Sequence, residues 1–259
     1  MGNGNKTVAD RQQYVVKANE LIRKARYNLT TTQQKIVLFA ISKIKPHDAP
    51  NTRYEISIED LCKACGFAFD EGGYYYKAIK EDLKALTTRQ WCVMPDKTEQ
   101  TISWIGDAMI LPLSGKVYIT FNPNMEPYLF DLKNRYTQYH LQDVLVFKGK
   151  YSIRLYEILR SYTNQKAISE GWEKDCMYSV DELREILDVK SYPRWADFDR
   201  FVIKKAVDEI NLCSDEIRIS YETYKEGRNV VKVNFIITTP KAMEMIKARQ
   251  EQKERLRRK

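Results

Sequence analysis

The sequence predicts an α+β protein built from one unit used twice, each copy three helices closed by a β-hairpin. Three observations predict it. Ile56-Ser57-Ile58-Glu59-Asp60-Leu61 returns as Tyr178-Ser179-Val180-Asp181-Glu182-Leu183. Ile79, Leu83 and Leu86 have counterparts in Ile203, Val207 and Ile210 at nearly the same offset. Both copies end in segments where apolar and polar residues alternate, the period of a half-buried strand.

In the first copy, Val15, Ala18, Leu21, Ile22 and Ala25 share a helical stripe, predicting a helix over 14–26. Thr30, Thr31 and Thr32 offer N-cap hydroxyls to the next helix, about 33–43, with Ile36, Phe39, Ala40 and Ile44 inward. A short strand at Tyr54–Ile56 leads to Ser57, which with Asp60 resembles a capping box for helix 58–65. Gly66 ends it as a C-cap glycine. Gly72-Gly73 precedes a helix over 74–87 with Ile79, Leu83 and Leu86 inward. Strands are expected at Gln90–Met94, Thr101–Leu111 and Lys116–Phe121. Asn122-Pro123-Asn124 breaks the pattern, which puts the domain boundary between about 122 and 137.

The second copy opens with a helix over 151–164, and Ser179 with Glu182 makes the clearer capping box for helix 180–187. A basic loop, Lys190-Ser191-Tyr192-Pro193-Arg194, precedes a long helix from Trp195 to about Leu212. Its Phe198, Val202, Ala206 and Ile210 form one buried stripe. Ile217, Ile219 and Tyr221 alternate with polar neighbours, as do Val231, Val233, Phe235 and Ile237, and Glu226-Gly227-Arg228-Asn229 joins them as a hairpin turn. The expected organisation is a flexible start over 1–12, an N-terminal domain over 13–130, a C-terminal domain over 131–240 and a basic tail over 241–259.

Charge narrows the function. Lys and Arg number 43 against 35 Asp and Glu, a net +8 that suits an anionic partner. No stretch approaches the ~20 apolar residues that cross a bilayer, and the polar start lacks a signal-peptide core, so no membrane role and a cytoplasmic location are expected. Five cysteines do not read as a disulfide framework; Cys62 and Cys65 have metal-ligand spacing but no second pair, and read as small core residues of a helix. His47 and His140 stand alone. No cofactor or metal is expected.

A helix pair, a third helix and a hairpin together make a winged helix-turn-helix. Its third helix fits the major groove and its wing reaches phosphate or minor groove. On helix 195–212 the face opposite the core carries Arg200 and Lys204, with Lys205 beside them and Arg194 at the entrance. Lys225 and Arg228 sit at the wing tip. Arg suits bidentate contact with guanine, whereas Lys mainly supplies charge to phosphate. In the first copy Lys77, Lys80 and Lys84 are interrupted by Glu81 and Asp82, so backbone contact, a protein partner or another subunit fits better than base reading. Tyr74, Tyr75 and Tyr76 are expected at a core edge.

Four stretches carry a resemblance: residues 29–38 (LTTTQQKIVL), residues 151–159 (YSIRLYEIL), Glu209-Ile210-Asn211, and Gly227-Arg228 before the last strand. Together they resemble the iteron-binding plasmid replication initiators of the Rep type, built from two winged-helix domains, over residues 13–240. The resemblance implies monomers on directly repeated origin sites of double-stranded DNA, bound chiefly through the C-terminal domain. It also implies homodimers, formed through the N-terminal domain, that repress their own gene at an operator inverted repeat, and recruitment of the host helicase and initiator.

Two competitors remain. A tandem winged-helix transcriptional regulator would use the same surfaces. A rolling-circle nuclease would need clustered histidines beside a tyrosine nucleophile, and the two isolated histidines do not supply them. No converging carboxylates and no Gly-x-x-x-x-Gly-Lys-Ser/Thr loop occur, so the chain reads as non-enzymatic.

Overall fold

A computed structural model describes residues 13–69, 73–93, 100–111, 114–163, 173–245, 248 and 251. The expected flexible start and most of the basic tail lie outside them. The chain divides into two compact units, Met1–Lys150 and Tyr151–Lys259.

The first unit contains β1 (Tyr14–Ala18), α1 (Asn19–Lys24), α2 (Thr31–Ile41), β2 (Arg53–Ser57), α3 (Ile58–Cys65) and α4 (Tyr74–Thr88). These are followed by β3 (Gln90–Val93), β4 (Gln100–Ser103), β5 (Ile105–Leu111), β6 (Lys116–Phe121), α5 (Glu126–Leu129), β7 (Tyr136–His140) and α6 (Leu141–Leu145). The second contains β8 (Glu173–Ser179), α8 (Val180–Ile186), α9 (Trp195–Phe198), α10 (Lys204–Cys213), β9 (Arg218–Glu226) and β10 (Asn229–Thr238). It opens with α7 (Lys150–Arg160).

The duplication extends to topology. In the first unit β2 and β5 both pair with β6, antiparallel. In the second β8 and β9 both pair with β10, antiparallel. Each sheet is therefore three-stranded with the last strand central, and each first strand runs straight into a helix through a serine. Ser57 accepts from Asp60 N at 3.3 Å. Ser179 completes the reciprocal box, accepting from Glu182 N at 3.1 Å while Glu182 Oε2 accepts from Ser179 N at 2.7 Å. The repeated positions Ile79, Leu83, Leu86, Ile203, Val207 and Ile210 are all buried. Gly66 takes φ 79, the left-handed cap that a side chain would strain.

α2 is buried on nearly every side from Gln33 to Ile41, so it is a central helix and not a surface one. Its polar side chains donate internally, although Gln34 Oε1 is buried without an acceptor bond. Gln34 Nε2 donates to Leu29 O at 3.3 Å, and Lys35 Nζ donates to Leu145 O at 2.6 Å. α7 occupies the same place in the second copy, buried from Ser152 to Arg160.

Three expectations are corrected. The helix over 14–26 is instead a strand and a short helix, because Val15 and Lys17 turn inward where β1 pairs antiparallel with β7. That pairing holds 136–145 in the first unit, so the units divide after Lys150 and not between 122 and 137. The run 101–111 bends at Trp104, which is buried, and splits into β4 on β3 and β5 on β6. β7, α6 and β8 were not anticipated. The long helix is present, but it passes through a π-helical turn (Asp199–Ile203) between α9 and α10.

Candidate nucleic-acid interface

In the second unit the helix-turn-helix is α8, the turn 187–194, and the rod of α9, π turn and α10. The turn is gathered by Arg184, which donates to Ser191 O at 3.4 Å and Pro193 O at 3.3 Å while its guanidinium lies 4.3 Å over the Phe198 ring. Asp188 and Tyr192 hold positive φ within it, at 47 and 63. Phe198, Val202, Ile203, Ala206, Val207 and Ile210 seal the inner face of the rod. Its outer face is left to charged residues.

Arg194 is the N-cap residue and is exposed, as are Arg200, Lys204 and Lys205. The guanidinium of Arg200 lies 5.2 Å from the Phe201 ring centre. Lys204 pairs with Asp208 at 3.2 Å in an exposed i,i+4 bridge, a contact of little energy that phosphate can displace. Arg194 and Lys205 form no ion pair with a described residue. A helix ~10–12 Å across fits a major groove ~12 Å wide, so this face can bring guanidinium to base edges and ammonium to phosphate.

The wing is the β9–β10 hairpin. Gly227 takes φ 61, the positive value required at the first central position of a II′-type turn. Lys225 and Arg228 are exposed at its tip, and Arg228 makes no bridge to Glu226. The ladder slips between Val230 and Lys232, a bulge close to the tip. Exposed Tyr224, paired in register with Lys232, adds an aromatic and a further cation to the wing.

Two contacts fix the wing against the rod. Asn211 bonds both backbone groups of Ile219, and Tyr221 OH donates to Asp199 Oδ1 at 2.6 Å. Burial and that hydrogen bond hold the Tyr221 phenol well above its ordinary pKa, so it stays a donor. At the base of the wing Glu216 accepts from Arg160 Nε at 2.7 Å and from Tyr156 OH at 3.2 Å. Sequence reasoning missed Arg184 and Glu216 as positioning residues. Arg184 binds a turn whose irregular path no local signal gives, the partners of Glu216 lie far back in the chain, and only the unusual apolar surroundings of Arg160 in α7 hinted at a buried pair.

The first unit presents less. Lys77 is exposed, Lys80 lies 5.3 Å over the Tyr76 ring, and Lys84 pairs with Glu81 at 2.7 Å. Asp82 is turned to Gln33 Nε2 at 2.7 Å. Tyr76 packs at the core edge as expected, whereas Tyr74 is 80% exposed and Tyr75 stacks on Phe67 at 4.5 Å. Along α4 Lys77 is exposed, Lys80 faces a ring and Lys84 is bridged; along the rod Arg200 faces a ring and Lys204 is bridged, and the second unit adds exposed Arg194, Lys205, Lys225 and Arg228.

Among the described residues no group of three His, Cys, Asp or Glu could hold a metal ion, and no helix is long and apolar enough to cross a membrane. His140 packs on Tyr14 at 4.1 Å, and exposed His47 lies 4.0 Å from Asp131.

Residues 14–160 match the family described as Initiator Replication protein, WH1, and residues 179–237 match Initiator Rep protein, WH2. A replication initiation protein of Escherichia coli is 24% identical over 244 residues, 90% of this chain and 72% of that protein. The PI protein of Escherichia coli is 30% identical over 149 residues, 52% of this chain but only 46% of that protein. The fold is similar to that in the crystal structure of Pi initiator protein in complex with iteron DNA, with a TM-score of 0.72 and 23% identity over 88% of this chain and 98% of the other.

Proposed function

From the premise that the chain belongs to the initiator Rep protein family, matched in both its WH1 and WH2 modules, we propose that it initiates plasmid replication by binding repeated origin DNA. One observation carries the reading. The second unit displays Arg194, Arg200, Lys205, Lys225 and Arg228 on a helix and wing tied to one another, all exposed to solvent. Such a surface gives two kinds of contact at once, base edges from the helix and phosphate from the wing. A relative of similar fold was captured on iteron DNA, which supports double-stranded repeats as the ligand class.

The second unit reads sequence, and the first adds backbone contacts through Lys77, Lys80 and Lys84 and serves self-association. The smaller number of cations along α4, interrupted by Glu81 and Asp82, supports that division. A two-fold dimer matches an inverted repeat, whereas directly repeated sites match monomers. The same chain therefore represses its own gene as a dimer and initiates as a monomer, in the cytoplasm, recruiting the host helicase and initiator. The protein works by binding, without a catalytic step: His140 packs on Tyr14 and His47 lies apart beside Asp131, so among the described residues the histidines form no cluster to hold a metal beside a tyrosine nucleophile.

The test is plasmid maintenance. A replicon carrying only the neighbouring repeats and a selectable marker is introduced into cells supplying the chain in trans. Initiation predicts stable maintenance that is lost when the repeats are scrambled. A chain that represses a promoter bearing the site but never maintains the replicon is a transcriptional regulator.

A further inference from the structure

Phe201 lies in the middle of the outer face of the reading rod. Lys204, Lys205 and Asp208 follow it at i+3, i+4 and i+7, on the same stripe. It is 43% exposed, on the side opposite buried Val202, Ala206 and Ile210. A large apolar ring at this place keeps much of its surface in solvent.

The ring is nonetheless held. Tyr192 stacks on it with centres 5.2 Å apart and planes at 27°, and the Arg200 guanidinium lies 5.2 Å from its centre. Tyr192 belongs to the turn whose neighbouring carbonyls are gathered by Arg184. The π turn sets the register of this stretch, and Tyr221 of the wing pins that turn through Asp199. An apolar surface is therefore displayed rigidly, ringed by Arg194, Arg200, Lys204 and Lys205. An apolar protein partner would have to desolvate those cations. A DNA groove satisfies them with phosphate and base edges, and it offers one apolar group, the 5-methyl of thymine.

We propose that Phe201 is a specificity residue that packs on the 5-methyl group of a thymine in the major groove, beside the base met by Arg200. This rests on the DNA-reading function above, and the test separates the two. Full-length chain selects its preferred duplex from a random library, and each thymine is then replaced in turn by deoxyuridine, which lacks only the methyl. Fluorescence anisotropy is measured with the unaltered chain and with Phe201→Ala and Phe201→Leu. Deoxyuridine at one position should weaken the unaltered chain about four-fold, the effect of burying one methyl group. Phe201→Ala should bring the thymine-to-uridine ratio at that position to one, and Phe201→Leu should keep part of it. A flat deoxyuridine scan with the unaltered chain overturns the proposal without needing any variant. So does a ratio that survives Phe201→Ala, which would make the ring a support for Arg200 alone. Failure to select any duplex would overturn the DNA-reading function itself.

Discussion

Asn211 holds both backbone groups of a single residue, Ile219: its Nδ2 donates to Ile219 O at 2.7 Å and its Oδ1 accepts from Ile219 N at 2.7 Å. The end of α10 is thereby joined to the start of the wing by a pair that mimics a strand ladder. Asn211→Ala should destabilise the second unit by about 1–3 kcal/mol, two net hydrogen bonds at part-buried groups. Urea unfolding measures it. DNA affinity should fall with helix content unchanged by circular dichroism; unaltered stability would mean that the helix and wing are held by apolar packing alone.

Arg160 is 1% exposed, and its Nε bridges to Glu216 Oε2 at 2.7 Å. Glu216→Ala takes the carboxylate away from this buried guanidinium, whose Nη1 also donates to Thr163, and should cost about 1.5–3 kcal/mol. Glu216→Gln, which keeps an acceptor, should cost less. Equal, small losses in chemical denaturation would show that water reaches the site freely.

Arg200 and Arg228 should fail differently. Arg200→Ala should cost about 1–3 kcal/mol and relax preference at one base position, measured over a library of site variants. Arg228→Ala should weaken all sequences alike and lower the salt slope by about one unit. If both substitutions leave affinity untouched, neither residue lies at the interface.

Cys65 is predicted to be inert. Burial pushes its thiol up to about 12, only partly offset by Lys35, and burial raises Cys62 as well. Because the folded value is raised, the neutral thiol's contribution to stability is complete below the ordinary value near 8.5 and is lost as pH climbs from there toward about 12. At pH 8 iodoacetamide should label half-buried Cys213 well before Cys65 by mass spectrometry. Rapid labelling of Cys65 would revive a redox or metal role for the pair.

The second unit should fold when cut at Lys150, whereas a cut at Asn134 would leave β7 and α6 without β1. Calorimetry of the two fragments should show a sharp transition for the first and a tail of unstructured residues in the second by hydrogen exchange. Protection of 136–145 in the longer fragment would argue against the β1–β7 pairing.

What was legible in the sequence was local. Helix 58–65 with its Ser57 cap and Gly66 stop, strand 116–121 and the Gly227 turn all follow from signals within a few residues. Strand β1 was not legible, because Val15, Leu21, Ile22 and Ala25 fit a helical stripe while the strand's partner, Tyr139 opposite Val15, lies far along the chain. The candidate cations were legible as exposed charge. Arg184, Glu216 and Phe201 were not, since their roles exist only once the turn, the wing base and the π turn have come together.

On the proposed function, the chain discriminates repeated origin sequence using cations of the second unit. The most direct test is anisotropy of the full-length chain on the direct repeats flanking its gene against a scrambled duplex, over a salt series. Preference for the repeats should reach at least about 10³-fold at physiological salt. Affinity should fall by roughly 10³–10⁵ between about 50 and 200 mM salt, as about 6–10 phosphate contacts require. Equal affinity for the two duplexes, or a flat salt dependence, would contradict the proposed function.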